Sequence, residues 1–109
     1  MTAHPVSSAL ATAAAPNFVL DRCEAIPALL GRHEDFLIVA GLAGTSRDIA
    51  ALTDNGDHVF LVTGAMGGAC MIGLGLALAR PDRRVLVVTG DRELLMNVGA
   101  LATIAGPAQ

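Results

Sequence analysis

Charged residues are scarce in this chain of 109 residues: they make up 16% of it, whereas about a quarter is usual in a soluble domain. Seven basic residues stand against ten acidic ones, so no basic surface argues for nucleic acid as a partner. Hydrophobic residues reach 53%, which excludes a disordered chain. With so little polar surface, we expect the domain to present apolar surface to a partner chain or, as the alternative, to a membrane.

Cysteine is nearly absent as well. Cys23 and Cys70 have neither the spacing of a metal site nor the number that a disulfide framework needs. Residues 1–16 are rich in Ala and Ser and lack the basic and apolar regions of a signal peptide. We therefore predict a cytoplasmic protein, with a flexible N-terminal arm over residues 1–16 and a domain over residues 17–109.

One long stretch carries no charge, from Val59 to Ala79, and it is long enough to cross a bilayer. Glycines interrupt it, with three of them between Gly64 and Gly68. β-branched residues precede this cluster and a helical pattern follows it, which is typical of a strand, a loop and a helix. We favour that interpretation, and a membrane span is the alternative.

Three short apolar segments, each followed by a helical pattern, indicate the fold class. Continuous apolar strands that alternate with helices are typical of a parallel sheet covered on both faces. We therefore predict an α/β fold with three layers, α/β/α, that stops after its third βα unit. The predicted strands are 36–40, 58–62 and 85–88, and the predicted helices are 21–31, a short one capped by Thr45 or Ser46, a buried one over 69–79, and 93–104.

Glycine-containing loops follow all three strands, at 41–44, 64–68 and 90–91. Ligands of parallel sheets bind outside the carboxyl ends of the strands, so these loops converge on a candidate site. The Gly64–Gly68 loop would let a ligand approach the backbone closely, or it would serve only tight strand–helix packing. Asp91 is a candidate Mg²⁺ ligand, or only a helix N-cap.

The remaining polar residues add little. Asn97 is expected on a helix face rather than beside a metal ion. His4, His33 and His58 are isolated in the sequence and none is assigned to catalysis. Arg47 is a weak candidate for contact with an anionic substrate, and surface exposure is its alternative role.

The order of these motifs resembles that of thiamine diphosphate-dependent 2-oxoacid decarboxylases, over residues 21–104. It is closest to the diphosphate-binding domain of the sulfopyruvate and phosphonopyruvate decarboxylase group. The upstream segment 44–48 is similar to one in the same group. The stretches that carry the resemblance are Gly64-Ala65-Met66-Gly67-Gly68-Ala69, Pro81-Asp82-Arg83-Arg84-Val85, Thr89-Gly90-Asp91 and Leu94-Leu95-Met96-Asn97.

The resemblance implies roles for particular residues. The carbonyl of Gly64 would accept a hydrogen bond from the aminopyrimidine of thiamine diphosphate, and Met66 would support the bent cofactor. Asp91 would bind the Mg²⁺ that bridges to the diphosphate, and backbone N–H groups just after it would hold the phosphates. The implied cofactor-binding set is Gly64, Ala65, Met66, Gly67, Gly90, Asp91, Arg92 and Glu93.

The chain departs from the family pattern at Arg92, where the family's GDG motif has its second glycine. The resemblance also implies a further asparagine ligand for Mg²⁺ downstream of Asp91, and a catalytic glutamate on a pyrimidine-binding domain; neither is found in this sequence. We therefore expect a subunit or fragment, part of a homo- or hetero-oligomer, that decarboxylates a small anionic 2-oxoacid only with a pyrimidine-binding partner. The alternative is a degenerate, non-catalytic interaction module of the same fold.

Overall fold

A computed structural model of the chain describes residues 20–107. The predicted arm over residues 1–16 lies outside this range. Three parallel strands form one sheet with the order β2-β1-β3, so the first strand lies in the centre. The elements in chain order are α1 (Arg22–Leu30), a 3-10 turn (His33–Asp35), β1 (Phe36–Ala40), α2 (Gly44–Thr53), β2 (Val59–Leu61), α3 (Ala69–Ala79), β3 (Arg84–Val88), α4 (Asp91–Leu95) and α5 (Ala100–Ala105).

Helices α1 and α2 cover one face of the sheet. Ile26 of α1 and Ile49 of α2 pack against Ile38 and Ala40 of the central strand, and these four residues are buried. Helix α1 begins where the sequence predicts, because the Asp21 carboxylate accepts a hydrogen bond from the Cys23 N–H. It ends at Gly31, whose φ of 53° is one that glycine adopts readily.

Helix α3 covers the opposite face, where Ala69 packs with Val39 and Val62 in a second buried cluster. Helix α5 lies against α3. Helices therefore flank both faces, and the predicted three-layer α/β/α architecture is confirmed. The apolar composition of α3 predicts burial on all sides, and this is wrong: only Ala69 and Gly73 are buried, while Leu78 is 60% exposed. The described residues supply no layer beyond α3 to cover it.

Other local predictions also need correction. Strand β2 is shorter than predicted, covering Val59–Leu61. Helix α2 begins at Gly44 after Ala43, without a side-chain cap, so neither Thr45 nor Ser46 caps it. The predicted helix 93–104 is two helices, Asp91–Leu95 and Ala100–Ala105, with a turn between them.

The uncharged stretch from Val59 to Ala79 is divided among β2, a loop and the 11-residue helix α3. Within residues 20–107, no helix has both the length and the apolar character needed to cross a bilayer. This division agrees with the strand, loop and helix that the glycine pattern predicts.

Candidate functional site

The carboxyl ends of the adjacent strands β1 and β3 define the candidate site. After β1 the chain passes to α2 on the α1 face, whereas after β3 it passes to α4 and then to α5, which packs on α3. Connections that leave neighbouring parallel strands on opposite faces open a crevice between the strand ends, where ligands of such sheets bind. Gly41, Leu42, Thr89 and Gly90 lie at this crevice by their positions directly after the two strands.

The loop that follows β2 reaches the same rim. Gly64 has a φ of 156° and Gly67 a φ of 90°, both of which side-chain-bearing residues rarely adopt. No described atom lies within 4 Å of the point where a Cβ on Gly64 would stand, so the backbone there is open to a ligand. Met66, between them, is 49% exposed.

Gly67 and Gly68 also serve tight packing. A Cβ on Gly67 would stand 3.1 Å from the Asn97 Cβ, and one on Gly68 would stand 3.1 Å from the Ala65 carbonyl oxygen. The two interpretations of this loop therefore apply to different glycines: Gly64 leaves open space, while Gly67 and Gly68 allow close contact.

Asp91 is the first residue of α4, and its carboxylate is not the helix cap. The capping position belongs to Gly90, and no side chain closes the helix start. Asp91 is exposed at the rim. The N-cap interpretation is therefore wrong, and the carboxylate oxygens are free of a capping hydrogen bond. No group of three His, Cys, Asp or Glu side chains that could hold a metal ion is found among residues 20–107.

Arg92 follows in the first turn of α4 and its side chain is exposed. The non-glycine residues with positive φ in the described chain are Ala43, Asp54 and Asn55, so the backbone of Arg92 is unstrained. The conformation of the segment therefore does not itself require glycine at this position.

Glu93 is the residue of this segment whose side chain points inward. It is only 4% exposed, and its Oε2 accepts a hydrogen bond from the Leu42 N–H at 2.9 Å. This bond joins α4 to the loop after β1, across 51 positions of sequence. The family resemblance implies that Glu93 is a cofactor-binding candidate through its backbone. No local sequence pattern predicts the contact that its carboxylate makes with Leu42.

Asn97 links the two predicted cofactor loops. Its side-chain Nδ2 donates a hydrogen bond to the Gly67 carbonyl oxygen at 3.0 Å. Asn97 lies in the turn between α4 and α5, so the expectation of a helix-face position is wrong. Because one end of this bond is in the loop after β2 and the other follows α4, it holds the two segments together across the rim.

Two arginines lie near the start of α2: Arg47, which the sequence singles out, and Arg22 of α1, which it does not. Arg47 is exposed on the first turn of α2. Arg22 pairs with Asp48, and its guanidinium lies so close to Gly44 that a Cβ there would overlap it. The negative charge of Asp48 raises the pKa of the neighbouring Cys23 thiol. Cys23 is therefore no activated nucleophile.

Two histidines that are isolated in the sequence meet in the fold. The Nδ1 of His33 and the Nε2 of His58 are 3.0 Å apart, and the rings stack with their centroids 5.2 Å apart. Both precede strands, His33 before β1 and His58 before β2, so they lie at the amino edge of the sheet. This pair is therefore at the opposite end of the strands from the candidate site.

Comparisons with known proteins bear on the same segments. Sulfopyruvate decarboxylase subunit beta of Methanothermobacter thermautotrophicus is 44% identical over 87 residues, which cover 80% of this chain and 46% of that protein. Phosphonopyruvate decarboxylase of Streptomyces hygroscopicus is 46% identical over 71 residues, 65% of this chain and 17% of that protein. The chain thus spans less than half the length of these relatives.

The family model for the thiamine pyrophosphate enzyme, C-terminal TPP binding domain, matches residues 43–107. The matched region includes α2, the Gly64–Gly68 loop, β3 and the segment after Asp91, and it covers more than half of the chain. The resemblance seen in the sequence is confirmed: this chain belongs to the family of the C-terminal TPP-binding domain of thiamine pyrophosphate enzymes.

Proposed function

We propose that this chain is the diphosphate-binding part of a thiamine diphosphate- and Mg²⁺-dependent decarboxylase of a small anionic 2-oxoacid. The observation that carries the proposal is the crevice between β1 and β3, with Asp91 at its rim and the Gly64–Gly67 loop joined to the same rim through Asn97. The match to the family over residues 43–107 supports thiamine diphosphate as the ligand. The sulfopyruvate and phosphonopyruvate decarboxylases among the relatives support the substrate class.

The residues at the rim suit a diphosphate–magnesium group. Asp91 offers carboxylate oxygens, the ligand type that Mg²⁺ prefers, and these oxygens are exposed and not engaged in capping. A Cβ on Gly64 or Gly90 would meet no described atom within 4 Å, so a ligand can approach the backbone at both. Since no three acidic, His or Cys side chains gather there in residues 20–107, phosphate oxygens and water would complete the coordination of Mg²⁺.

In the proposed function, the site residues of this chain position the cofactor or hold its metal ion. The Gly64 carbonyl accepts a hydrogen bond from the aminopyrimidine, Met66 supports the bent cofactor, and Asp91 holds the metal ion. Ala65, Gly67, Gly90, Arg92 and Glu93 contribute backbone to the walls of the cofactor site. Thiamine diphosphate, when bound, supplies a carbanion nucleophile and an electron sink for loss of carbon dioxide from a 2-oxoacid. Arg47, exposed on α2, is the weak candidate for contact with the substrate anion.

We expect activity only with a partner chain that carries the pyrimidine-binding domain. The names of the relatives support this, since several are called subunit beta. Exposed apolar side chains on the described chain, among them Leu78, Leu95 and Met96, offer surface for such a partner. We place the assembly in the cytoplasm, in keeping with the two free cysteines.

Calorimetric titration of thiamine diphosphate with Mg²⁺, with and without the partner chain, tests the proposal. Binding is expected with the partner present, and Asp91→Asn should weaken it by at least about tenfold because a metal ligand is lost. Asp57→Asn is the matched control, since Asp57 is exposed and precedes β2 at the amino edge. An absence of binding in both settings would refute the cofactor role.

The second candidate is a non-catalytic interaction module of the same fold. The observation that favours it is Arg92 in the first turn of α4, together with the exposed apolar side chains on the α3 face. If the cofactor site has degenerated, Arg92→Gly should restore thiamine diphosphate binding that the native chain lacks. Tight cofactor binding by the native chain with its partner would exclude this candidate.

A further inference from the structure

The carboxylate of Glu93 occupies the crevice that the proposed function assigns to a diphosphate. The Glu93 side chain is 4% exposed, and its Oε2 accepts the Leu42 N–H at 2.9 Å. A Cβ on Gly41 would overlap this oxygen, so the carboxylate lies directly against the backbone at the end of β1. A side-chain carboxyl oxygen therefore accepts from a backbone donor at the carboxyl edge of the sheet, where an anionic ligand would be bound.

The polar atoms around this carboxylate are not satisfied. Glu93 Oε1 and Thr89 Oγ1 are buried and have no hydrogen-bond partner within residues 20–107. Both residues line a cleft, with Gly67 and Asn97, that is too narrow to hold a water molecule. Thr89 Oγ1 stands 2.8 Å from the point where a Cβ on Gly41 would lie, so the hydroxyl faces the same spot as the carboxylate.

Among residues 20–107, no basic side chain pairs with the Glu93 carboxyl group. The ion pairs of the described chain are Arg22–Asp48, Arg32–Asp35, His33–Glu34 and Arg80–Asp82, and none includes Glu93. Burying a carboxylate with one donor and no counter-charge is unfavourable, because its hydration is replaced only in part. The Glu93 side chain is therefore held where it lies by one hydrogen bond, with its second oxygen unpartnered among the described residues.

We propose that the Leu42 N–H and the Thr89 hydroxyl form a phosphate subsite that the carboxylate of Glu93 occupies as an internal anion, so that Glu93 competes with diphosphate for the crevice. A phosphate oxygen accepts hydrogen bonds from backbone N–H and hydroxyl donors as a carboxylate oxygen does. Removal of the Glu93 carboxylate should free the Leu42 N–H and open the space beside the unpaired Thr89 hydroxyl. This inference rests on the proposed function for the identity of its ligand, a diphosphate with Mg²⁺.

The test is calorimetric titration of the chain with inorganic pyrophosphate and Mg²⁺. Glu93→Ser removes the carboxylate and should tighten pyrophosphate binding by roughly ten- to a hundredfold. This is the range expected when a charged group that competes for one hydrogen-bond donor is lost. Glu93→Gln keeps the shape and an acceptor for the Leu42 N–H but loses the charge, so its gain should be smaller. Glu24→Gln is the matched control, since Glu24 is exposed on α1 and its loss changes the net charge equally.

The Leu42 amide supplies a second readout, which reports whether the added anion reaches the donor that Glu93 holds. In Glu93→Ser its NMR signal should shift when pyrophosphate is added, whereas in the native chain the shift should need much more pyrophosphate. An unchanged affinity in Glu93→Ser would overturn the proposal, as would an equal gain in Glu24→Gln. If Glu93→Ser does not fold, Glu93→Gln decides: tighter binding supports the subsite and unchanged binding overturns it.

The outcome also separates this inference from the proposed function. Tighter pyrophosphate binding by Glu93→Ser, with no binding of thiamine diphosphate by any variant, would support the subsite and refute the cofactor role. The reverse result would be binding of thiamine diphosphate by the native chain with its partner, with no tighter binding of either ligand by Glu93→Ser. That result would support the cofactor role and refute the subsite.

Discussion

The helices that cover the two faces of the sheet differ in apolar character, and they are buried to different extents. On the α1–α2 face, Ile49 is fully buried against Ile38. On the α3–α5 face, Leu78 is 60% exposed and Leu101 49% exposed. Helix α2 carries polar residues on its outer side, whereas α3 is apolar on every side and still has one side open. The composition of a helix therefore indicates which of its sides could be buried, but it does not show whether the described residues cover them.

The difference also bears on how the site is assembled. Exposed apolar area of this kind marks interaction surfaces in proteins. The α1–α2 face buries the core around Ile38 and Ile49 within the described residues, while Leu29 on α1 is 82% exposed. The α3–α5 face borders the Gly67–Asn97 contact at the site, so a partner that covers this face would also rigidify the rim.

The largest expected effect is at Ile49, in the buried core of the α1–α2 face. Ile49→Ala removes a fully buried side chain and should lower the free energy of unfolding by about 2–5 kcal/mol. Leu78→Ala, the matched truncation on the open face, should change it by less than about 0.5 kcal/mol because the side chain stays largely in water. Urea denaturation followed by circular dichroism measures both. Equal losses for the two variants would contradict the contrast between the faces.

Helix α3 permits a finer test within one element. Gly73→Ala would place a Cβ into Val87 Cγ2 of β3, and this overpacking should cost about 1–3 kcal/mol. Gly75→Ala meets no described atom within 4 Å and should stabilise the helix by about 0.5–1 kcal/mol. Thermal unfolding of the two variants should shift in opposite directions. A loss of stability in Gly75→Ala would mean that the open side of α3 is covered in solution.

The smallest effect is expected at the turn between α3 and β3. Hydrogen bonds from Arg80 lower the pKa of Asp82 from 3.8 to about 2. Because the folded chain holds the ionised form more firmly, this contribution to stability is present above about pH 4 and is lost as the pH falls towards 2. The two side chains are half exposed or more, so the effect is small.

This titration is checked by comparing the urea midpoints of the native chain and Asp82→Asn at several pH values. The native chain should have the higher midpoint at neutral pH, and the two should converge between pH 4 and pH 2. A constant difference across that range would show that the ion pair does not account for it.

The secondary structure was predictable wherever local sequence decides it. Strand β1 and helix α3 have the predicted bounds, because apolar runs and flanking glycine or proline define them locally. The predicted helix 93–104 failed because Asn97 donates its side chain to Gly67, a contact 30 residues away that the helical pattern does not contain. The caps of α2 failed for a similar reason: the Ser46 hydroxyl donates to the Gly41 carbonyl.

The location of the candidate site was predictable from the sequence, but the side-chain contacts within it were not. The glycine loops and Asp91 follow strands, so the rule for parallel sheets brings them to one edge. The Glu93–Leu42 hydrogen bond, the unsatisfied Thr89 hydroxyl and the approach of Arg22 to Gly44 had no signal in the sequence. Each joins residues from different elements, and no local spacing relates them.

The sequence by itself determined the alternation of apolar strands and helices, the family, and the edge at which the glycine loops emerge, because each follows from the order of motifs along the chain. Only the tertiary structure decided that a buried carboxylate holds the Leu42 N–H and that one face of the sheet stays open. Those outcomes depend on how strands of distant sequence align side by side, which sets the crevice into which Glu93 folds.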